Sequence, residues 1–474
     1  MIYSDLYING GWVTSTKRFD VLNPATEEVI ASVASASIAD ADSALDAAEA
    51  AMKIWASQTP RHRSEVLRRA WELMTEQLDD FASLITLENG KARNDARGEA
   101  AYAAEFFRWF AEEAVRADGM IKHAPASGAR IIVQHKPAGL AALITPWNYP
   151  AAMGTRKIAP ALAAGCGVII KPASETPLTM LALMPLLEDA GVPAGLVNVL
   201  PSTHSGALVD HVLHDPRVRV VSFTGSTGVG RKLLKSAADQ VLKPAMELGG
   251  NAPVLVMEDA DIKTAIEGTM LAKMRNLGEA CTAANRIYVH ENIAEEFTRG
   301  LAESMSALKV GDGRDPSVDV GPLVNASTRE KVAYFVEDAV SKGARIECGG
   351  SIPEGPGFFY PPTVLSNVPE TADCVQDEIF GPIAAIQTFR NEEDVIRRAN
   401  DTEYGLVAYV FTGDFKRGLQ ICERLDYGMV GLNRGLVSDP SAPFGGTKQS
   451  GLGREGGQEG MLEFMETQYI SADW

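Results

Sequence analysis

The 474-residue chain has few of the residues that build metal centres or covalent cross-links. Its five cysteines are dispersed at positions 166, 281, 348, 374 and 422 without a CxxC pair, and none of its seven histidines falls in a metal or base motif. Zinc sites and disulfide frameworks need regularly spaced cysteines. We therefore predict no metal and no disulfide scaffold, and the odd set of unpaired thiols predicts a reducing, cytoplasmic location.

The sequence also lacks long hydrophobic runs. No stretch approaches the roughly 18 uninterrupted apolar residues of a membrane span. The start of the chain, MIYSDLYINGGWV, has no basic region followed by an apolar core, which argues against a secretory signal. We predict no membrane partner.

Positive charge is in short supply. Lysine and arginine number 44 against 62 acidic residues, a net charge of −18 with histidine neutral. Such a surface repels phosphate backbones, so nucleic acid is not an expected partner. An anionic small molecule would need cations placed locally for it.

Hydrophobic periodicity divides the chain into blocks. Helical patterns cover 39–57, 61–88 and 93–117, after a hairpin-like entry around INGGW, and Asn89-Gly90 is a plausible helix end. From 140, short apolar runs alternate with helical segments at spacings typical of βαβ units, and a second such block runs from 252 to 412. The fold prediction is two doubly wound α/β domains, each with a parallel sheet covered on both faces.

One segment interrupts this pattern. Residues 118–139 contain Pro, Gly and an alternating stretch around IIVQH, which is typical of a β-hairpin arm. The final residues, METQYISADW, are a candidate strand partner for that arm.

The standard nucleotide fingerprints are missing. No GxGxxG follows a strand, and in FTGSTGVGR the residue at the Walker lysine position is Arg231. The loop still follows a strand and opens a helix, so it could present backbone N–H groups to a pyrophosphate. The alternative is a tight turn with no ligand.

Four segments carry candidate chemistry. Cys281 in GEACTAANR is a possible thiolate nucleophile, Glu247 in MELGGN a possible base, and Asn148 in PWNYP a possible oxyanion donor. Lys171 follows a buried strand, where ligands of doubly wound sheets bind. Each also has an ordinary structural interpretation: a buried thiol, a solvated loop carboxylate, a turn residue and a strand-end lysine.

Taken together and in this order, these segments resemble the aldehyde dehydrogenase superfamily over essentially the whole chain. The matching motifs are NPAT (23–26), PWNYP (146–150), KPASETP (171–177), FTGSTGVG (223–230), MELGGN (246–251), GEACTAANR (278–286), EIFGP (378–382) and PFGGTKQSGLGRE (443–455).

The resemblance implies a role for each matching residue. Cys281 would attack the aldehyde to give a thiohemiacetal, Asn148 and the Cys281 backbone N–H would hold the oxyanion, hydride would pass to the nicotinamide, and Glu247 would activate the water that hydrolyses the thioester. The cofactor cleft would be formed by Trp147, Lys171, Ser174, Gly225, Ser226, Glu378 and Phe380.

The resemblance also implies an organisation. Residues 1–117 and 140–247 would form the NAD(P)-binding domain and 248–445 the catalytic domain. Residues 118–139 and 446–474 would form an oligomerisation arm with the C-terminal segment, giving a homodimer or a homotetramer.

Within the superfamily, three residues match the positions at which succinate-semialdehyde dehydrogenases hold the distal carboxylate of their substrate. These are Arg156, Arg275 and Ser438. The alternative for the two arginines is that both are internal ion-pair partners. The alternative for the substrate is another small aldehyde, such as glutarate semialdehyde or a neutral aliphatic one. A non-catalytic protein on the same fold is disfavoured by the intact Cys281, Glu247 and Asn148.

The cofactor prediction depends on Ser174. Many NAD-using relatives carry Glu at this position, which would repel a 2′-phosphate, whereas Ser can donate to one while Lys171 supplies charge. The prediction is NADP or dual use, opposed by the neighbouring Glu175.

Two positions depart from the family pattern. Glu279 stands where relatives have Gln; its carboxylate either faces Cys281 and raises the thiol pKa, or points outward without effect. Ala283 stands where several relatives carry a second Cys, so a local disulfide with Cys281 is impossible.

Overall fold

The computed structural model describes residues 2–474. The α-helices are α1 Ile38–Ala56, α2 Pro60–Glu76, α3 Leu78–Asn89, α4 Arg93–Glu113, α5 Ala152–Ala164, α6 Leu178–Ala190, α7 Ser205–His214, α8 Thr227–Asp239, α9 Ile262–Met274, α10 Ala294–Ser306, α11 Ala326–Ser341, α12 Asp373–Gln376, α13 Glu392–Asn400, α14 Phe415–Cys422 and α15 Glu459–Leu462. The strands are β1 Leu6–Ile8, β2 Gly11–Val13, β3 Arg18–Leu22, β4 Val29–Ala34, β5 Met120–His123, β6 Arg130–Pro137, β7 Leu140–Ile144, β8 Gly167–Lys171, β9 Val197–Val199, β10 Val218–Thr224, β11 Lys243–Glu247, β12 Ala252–Val256, β13 Ala284–His290, β14 Arg345–Cys348, β15 Thr363–Ser366, β16 Ile383–Phe389, β17 Val407–Phe411, β18 Met429–Leu432, β19 Gly451–Leu452 and β20 Met465–Ala472.

The first large sheet has eight strands in the order β19-β11-β10-β7-β8-β9-β1-β2. The five central strands run parallel, and β1, β2 and β19 pair antiparallel at the edges. Side chains of β7 alternate between two cores: Ala141 and Leu143 enter one, Leu140 and Ala142 the other. Both faces are therefore covered, as the unbroken apolar run of this strand predicts.

The second large sheet has seven strands in the order β14-β15-β16-β13-β12-β17-β18. Here Val254 and Val256 of β12 enter one core, while Leu255 and Met257 enter another. The predicted pair of doubly wound α/β sheets is confirmed. A two-stranded sheet, β3-β4, lies outside that prediction. The division into domains at 117, 140, 247 and 445 stays a prediction.

The arm forms a separate three-stranded antiparallel sheet in the order β20-β6-β5. β6 pairs with β20 from Pro137–Met465 to Arg130–Ala472. The predicted strand partnership between the 118–139 segment and the C-terminal residues is confirmed.

One predicted helix is wrong in extent. Residues 61–88 form two helices, α2 and α3, which meet at Gln77 with φ −109° and ψ 19°. Apolar residues continue through the junction with no Gly or Pro to mark it, so the pattern alone predicts one element. The predicted end is correct: Gly90 adopts φ 87° and donates its N–H to the Thr86 carbonyl.

The strand order of the first sheet positions the site. Chain connections run outward from β7 in one direction through β8 and β9, and from β10 to β11 in the other. The loops after β7 and β10 therefore diverge and leave a crevice at the carboxyl ends of the strands, the usual ligand position in such sheets.

Candidate active site

A cavity of about 280 Å³ opens at this crevice and extends to the second sheet. Ten of the thirteen predicted site residues line it together: Trp147, Asn148, Arg156, Gly225, Ser226, Arg275, Cys281, Glu378, Phe380 and Ser438. They come from loops that are far apart in sequence, so only the fold brings them together. Glu247, Lys171 and Ser174 lie outside this lining.

Cys281 lies in the loop that leads into β13 and is partly exposed to the cavity. Burial, together with the negative charge of Glu247, raises the pKa of its thiol to about 12. A Cβ at Gly250 would lie 2.4 Å from the Cys281 carbonyl oxygen, so only glycine lets the segment after β11 approach this closely. The thiol is therefore protonated at rest and needs a base before it can attack.

Asn148 follows β7 and is 5% exposed. Its side-chain Nδ2 donates to the Glu279 carbonyl at 2.9 Å, which ties the amide to the cysteine loop two residues before Cys281. An amide nitrogen carries two protons, so one remains for a ligand in the cavity. This arrangement suits the oxyanion donor that the sequence predicts.

Glu247 is the last residue of β11 and is 3% exposed. Burial and the nearby charge of Glu455 raise the pKa of its carboxyl well above the usual value, against the attraction of Arg156 and Lys157. Its Oε2 has no hydrogen-bond partner within residues 2–474. A buried carboxyl with a raised pKa and one oxygen without a partner in the described chain has the properties of a general base.

The two arginines differ in their surroundings. Arg156 in α5 is 2% exposed, and its Nε lies 3.0 Å from the Glu455 carboxylate, which also pairs with Lys157. Arg275 directly follows α9, is half-buried, and within residues 2–474 makes no ion pair or side-chain hydrogen bond. Arg156 thus has an internal ion pair and also lines the cavity, so its part in substrate binding stays a prediction. The Arg275 guanidinium has no ion pair in the described chain and lies over the Tyr149 ring, 5.8 Å from its centroid.

The opposite end of the cavity carries the predicted nicotinamide contacts. The Glu378 carboxylate accepts from the Gly250 N–H at 3.0 Å, and burial raises its pKa to about 7. The Phe380 ring meets that of Trp147 edge-on, with centroids 5.4 Å apart. Phe380 has φ 54°, a strained conformation for a bulky residue and one that clusters at functional sites.

The remaining cofactor candidates surround the adjacent strand ends. Lys171 ends β8 without a hydrogen bond or ion-pair contact in the described chain, and burial lowers its pKa to about 8. Ser174 donates to the Glu175 carboxylate at 3.2 Å. The loop after β10 leads to Ser226, whose Oγ caps α8 by accepting from the Val229 N–H. A cation at the end of β8 and a helix N-terminus after β10, with β7 between the two strands, fit a dinucleotide.

Glu279 does not act on the thiol, as the second alternative for this residue expects, but its side chain is buried rather than directed outward. The side chain is 1% exposed, and its Oε1 accepts from the Val324 N–H at 3.1 Å. The carboxylates that most raise the pKa of Cys281 are instead Glu247, Glu378 and Glu455. Glu279 is thus a buried wall residue rather than a neighbour that acts on the thiol.

Glu279→Gln is expected to stabilise the fold, more at pH 8 than at pH 5. Burial raises the pKa of the folded carboxyl to about 8 from its usual 4.5. Between these values unfolding releases a proton, so the free energy of unfolding of the wild type falls as pH rises. Gln keeps an acceptor for Val324 and does not titrate.

Melting temperatures of both proteins between pH 5 and 8 measure this difference. The exposed Glu295 on α10 supplies the control, because Glu295→Gln removes a carboxylate without emptying a buried site. A Glu279→Gln advantage that stays constant or shrinks with rising pH would contradict the prediction.

Sequence reasoning missed several residues of the site. Tyr102, Met153 and Phe444 line the cavity, and Lys157 and Glu455 form the charged layer beneath Glu247. Glu455 lies at the end of the PFGGTKQSGLGRE motif, which was matched as a whole without a role for that residue. Its partner in α5 is 298 positions away, so no local pattern connects the two.

Within residues 2–474, no helix is long and apolar enough to cross a membrane. The same residues hold no group of three or more His, Cys, Asp or Glu side chains arranged to bind a metal ion.

Comparison with known proteins places this geometry in a family. The sequence profile described as the aldehyde dehydrogenase family matches residues 12–470. A succinate-semialdehyde dehydrogenase of Paenarthrobacter nicotinovorans is 53% identical over 442 residues, covering 93% of this chain and 98% of the relative. A glutarate-semialdehyde dehydrogenase of Pseudomonas putida is 46% identical over 468 residues, covering 98% of this chain and 96% of the relative.

A solved structure agrees. The crystal structure of an E. coli NADP-dependent enzyme superposes with a TM-score of 0.98 at 44% identity, covering 100% of this chain and 98% of the other. The chain belongs to the aldehyde dehydrogenase family.

Proposed function

We propose that this aldehyde dehydrogenase oxidises succinic semialdehyde to succinate. The observation that carries the proposal is Arg275: its guanidinium shares the cavity with Cys281 and has no carboxylate partner within residues 2–474. Ser438 lines the same region. A charged group left unpaired in a partly buried pocket favours a ligand of opposite sign. The names of the two semialdehyde-oxidising relatives support this choice.

The proposed chemistry begins at the thiol. The Cys281 thiol passes its proton to solvent water and its sulfur bonds to the aldehyde carbon, while the carbonyl oxygen gains charge that the Asn148 amide and the Cys281 N–H stabilise. A bound nicotinamide supplies the acceptor for the hydride that leaves this carbon. Glu247 then takes a proton from water, whose oxygen attacks the resulting thioester and releases the carboxylic acid and the thiol.

We propose NADP or dual cofactor use. Lys171 offers a cation at the end of β8, and Ser174 can rotate from Glu175 toward a 2′-phosphate. Trp147, Gly225, Ser226, Glu378 and Phe380 would line the rest of the cleft. The Glu175 carboxylate repels the negative 2′-phosphate of NADP, which favours use of both cofactors over strict NADP dependence.

We further propose a homodimer or homotetramer in the cytoplasm. Support for assembly comes from the arm sheet, where Ile121 and Ile470 both pair with Ile132 of β6 on one face and are 69% and 38% exposed. Contiguous exposed apolar surface of this kind marks an interaction site. Support for the location comes from the five free cysteines.

The test is a set of initial rates with succinic semialdehyde, glutarate semialdehyde and butanal, each with NAD and with NADP. We expect the anionic aldehydes to exceed butanal in kcat/KM by at least tenfold, and NADP to be used. The rate with glutarate semialdehyde measures how well the pocket accepts one extra methylene. Equal efficiency on butanal would refute the carboxylate pocket, and strict NAD use would refute the cofactor proposal.

A further inference from the structure

A short turn between the substrate arginine and the nucleophile has an unusual backbone. Immediately after Arg275, three consecutive residues adopt positive φ: Asn276 (47°), Leu277 (57°) and Gly278 (76°). For a branched residue such as Leu277 this conformation is sterically disfavoured, whereas Asn and Gly adopt it more readily. Such strain persists only where the surroundings hold it in place.

The surroundings hold this turn at each residue. The Asp95 carboxylate accepts from the Asn276 N–H at 2.9 Å, and the Leu277 side chain is 5% exposed in a hydrophobic core with Val332. A Cβ at Gly278 would lie 2.4 Å from the Gly381 carbonyl oxygen, so only glycine fits. The turn is therefore fixed against α4 and against the loop that carries Phe380.

The side chain of Asn276 connects two parts of the candidate site. It is 2% exposed, and its Nδ2 donates to the Asn148 carbonyl at 2.9 Å and to the Glu279 carbonyl at 3.0 Å. The Asn148 side-chain amide donates to that same Glu279 carbonyl at 2.9 Å. One amide thus joins the backbone of the oxyanion donor to the loop of the nucleophile.

We propose that Asn276 is a positioning residue that holds the Asn148 amide in register with Cys281. The proposal rests on the proposed function, because it needs Asn148 to act on the reacting carbonyl. Lys91 also reaches the Asn148 carbonyl, at 2.8 Å, but it contacts neither Glu279 nor the cysteine loop by a hydrogen bond. Within the described chain, Asn276 alone donates to both carbonyls.

Loss of the Asn276 amide should affect the chemical step of the reaction rather than the binding of the aldehyde. If the Asn276 amide is lost, the Asn148 backbone and the Glu279 carbonyl can separate, and the oxyanion donor moves relative to the sulfur. Small displacements of this kind lower kcat because the donor must meet the charge where it develops. The KM of the aldehyde should change little, since the substrate end held by Arg275 is not touched.

A double-mutant cycle tests this. Asn276→Gly keeps the positive-φ conformation and removes the amide. We expect it to lower kcat at least tenfold in the wild-type background but less than threefold in an Asn148→Ala background, because the two residues act through one contact. Asn276→Asp, which places a carboxylate against two carbonyl oxygens, should be at least as impaired.

Matched controls separate positioning from folding. Asn198 in β9 is a fully buried amide that donates to the Gly195 carbonyl far from the cavity. Asn198→Gly should therefore lower the stability of the fold, and any loss of kcat should be the same in the wild-type and Asn148→Ala backgrounds. Melting temperature and the rate of Cys281 alkylation report on each variant's fold. If Asn276→Gly does not fold, the same cycle is run with Asn276→Asp.

The outcomes are distinct. Equal fold-losses in both backgrounds would make Asn276 a structural residue and overturn the proposal, as would unchanged kcat. If Asn148→Ala itself keeps wild-type kcat, the oxyanion role in the proposed function fails and the positioning role fails with it. A loss in Asn148→Ala without one in Asn276→Gly overturns only the positioning proposal.

Discussion

Replacing Glu247 with Gln should lower the steady-state rate of aldehyde oxidation 100-fold or more while leaving the first turnover largely intact. The first turnover ends when hydride has left and the thioester on Cys281 has formed, and it needs the thiol and the oxyanion donors. Only hydrolysis of the thioester needs Glu247 to remove a proton from water. General bases contribute roughly 10²–10⁴-fold to such steps.

The structure gives the physical reason for choosing Glu247 as that base. Its carboxyl is buried, and Oε2 has no partner in the described chain that would hold it in another orientation. Burial and the Glu455 charge raise its pKa, so below that pKa the group carries a proton and cannot act as a base. The steady-state rate of the wild type should therefore rise with pH on the acidic side, and Gln should abolish that limb.

Rapid mixing of enzyme, cofactor and aldehyde, followed at the absorbance of the reduced nicotinamide, separates the two phases. The Glu247→Gln variant should show a burst close to one equivalent per active site, then almost no further reduction. Cys281→Ala is the control and should show neither phase. If the burst and the steady state fall by the same factor, Glu247 acts before hydride transfer and the assigned role is wrong.

The sequence predicts the chemical groups well because their motifs are local. PWNYP, MELGGN and GEACTAANR each place a functional side chain in or next to a loop whose glycines or prolines constrain the backbone, and ten of thirteen predicted residues do share one cavity. Gly250 illustrates the reason. Because it has no side chain, the Cys281 carbonyl can approach it closely, and the MELGGN motif contains this glycine.

What the sequence does not predict depends on long-range packing. The orientation of Glu279 follows from the position of the Val324 N–H, 45 residues away. The Glu455 carboxylate meets Lys157 across 298 positions. Neither contact produces a periodic pattern or a motif of fixed spacing in the sequence. Both contacts nevertheless influence the charge state of groups at the site. The sequence pattern does not predict the break at Gln77 for a related reason. Tertiary packing ends α2 at a point where local helix propensity would continue it.

These long-range contacts also separate two arginines that look alike in sequence. Arg156 is enclosed between the rings of Phe106 and Phe444, at 5.2 and 4.2 Å, and pairs with Glu455. Removing it would leave a buried carboxylate less compensated and raise the pKa of Glu247 further. Arg156→Ala should therefore impair the oxidation of every aldehyde.

Arg275→Ala should instead be selective, lowering kcat/KM for succinic semialdehyde at least tenfold while changing that for butanal less than threefold. The Arg275 guanidinium has no internal ion pair in the described chain, so its loss leaves no protein carboxylate unpaired. A charge-assisted hydrogen bond to a ligand carboxylate contributes about 1.5–3 kcal/mol, which corresponds to roughly 10–150-fold in kcat/KM.

Comparing both aldehydes within each variant removes effects on folding and on cofactor binding, since those change the two efficiencies alike. Arg275→Lys is the matched variant: it keeps the charge but loses the planar pair of donors, so it should recover part of the preference for the semialdehyde and not all of it. If Arg275→Ala lowers kcat/KM by the same factor for both aldehydes, the guanidinium has a structural role in the cavity wall, the role that the ion pair with Glu455 favours for Arg156. The selectivity would then have to come from Ser438, from the size of the cavity or from Lys331, which lines the cavity, donates to the Glu378 carbonyl and makes no ion pair in the described chain.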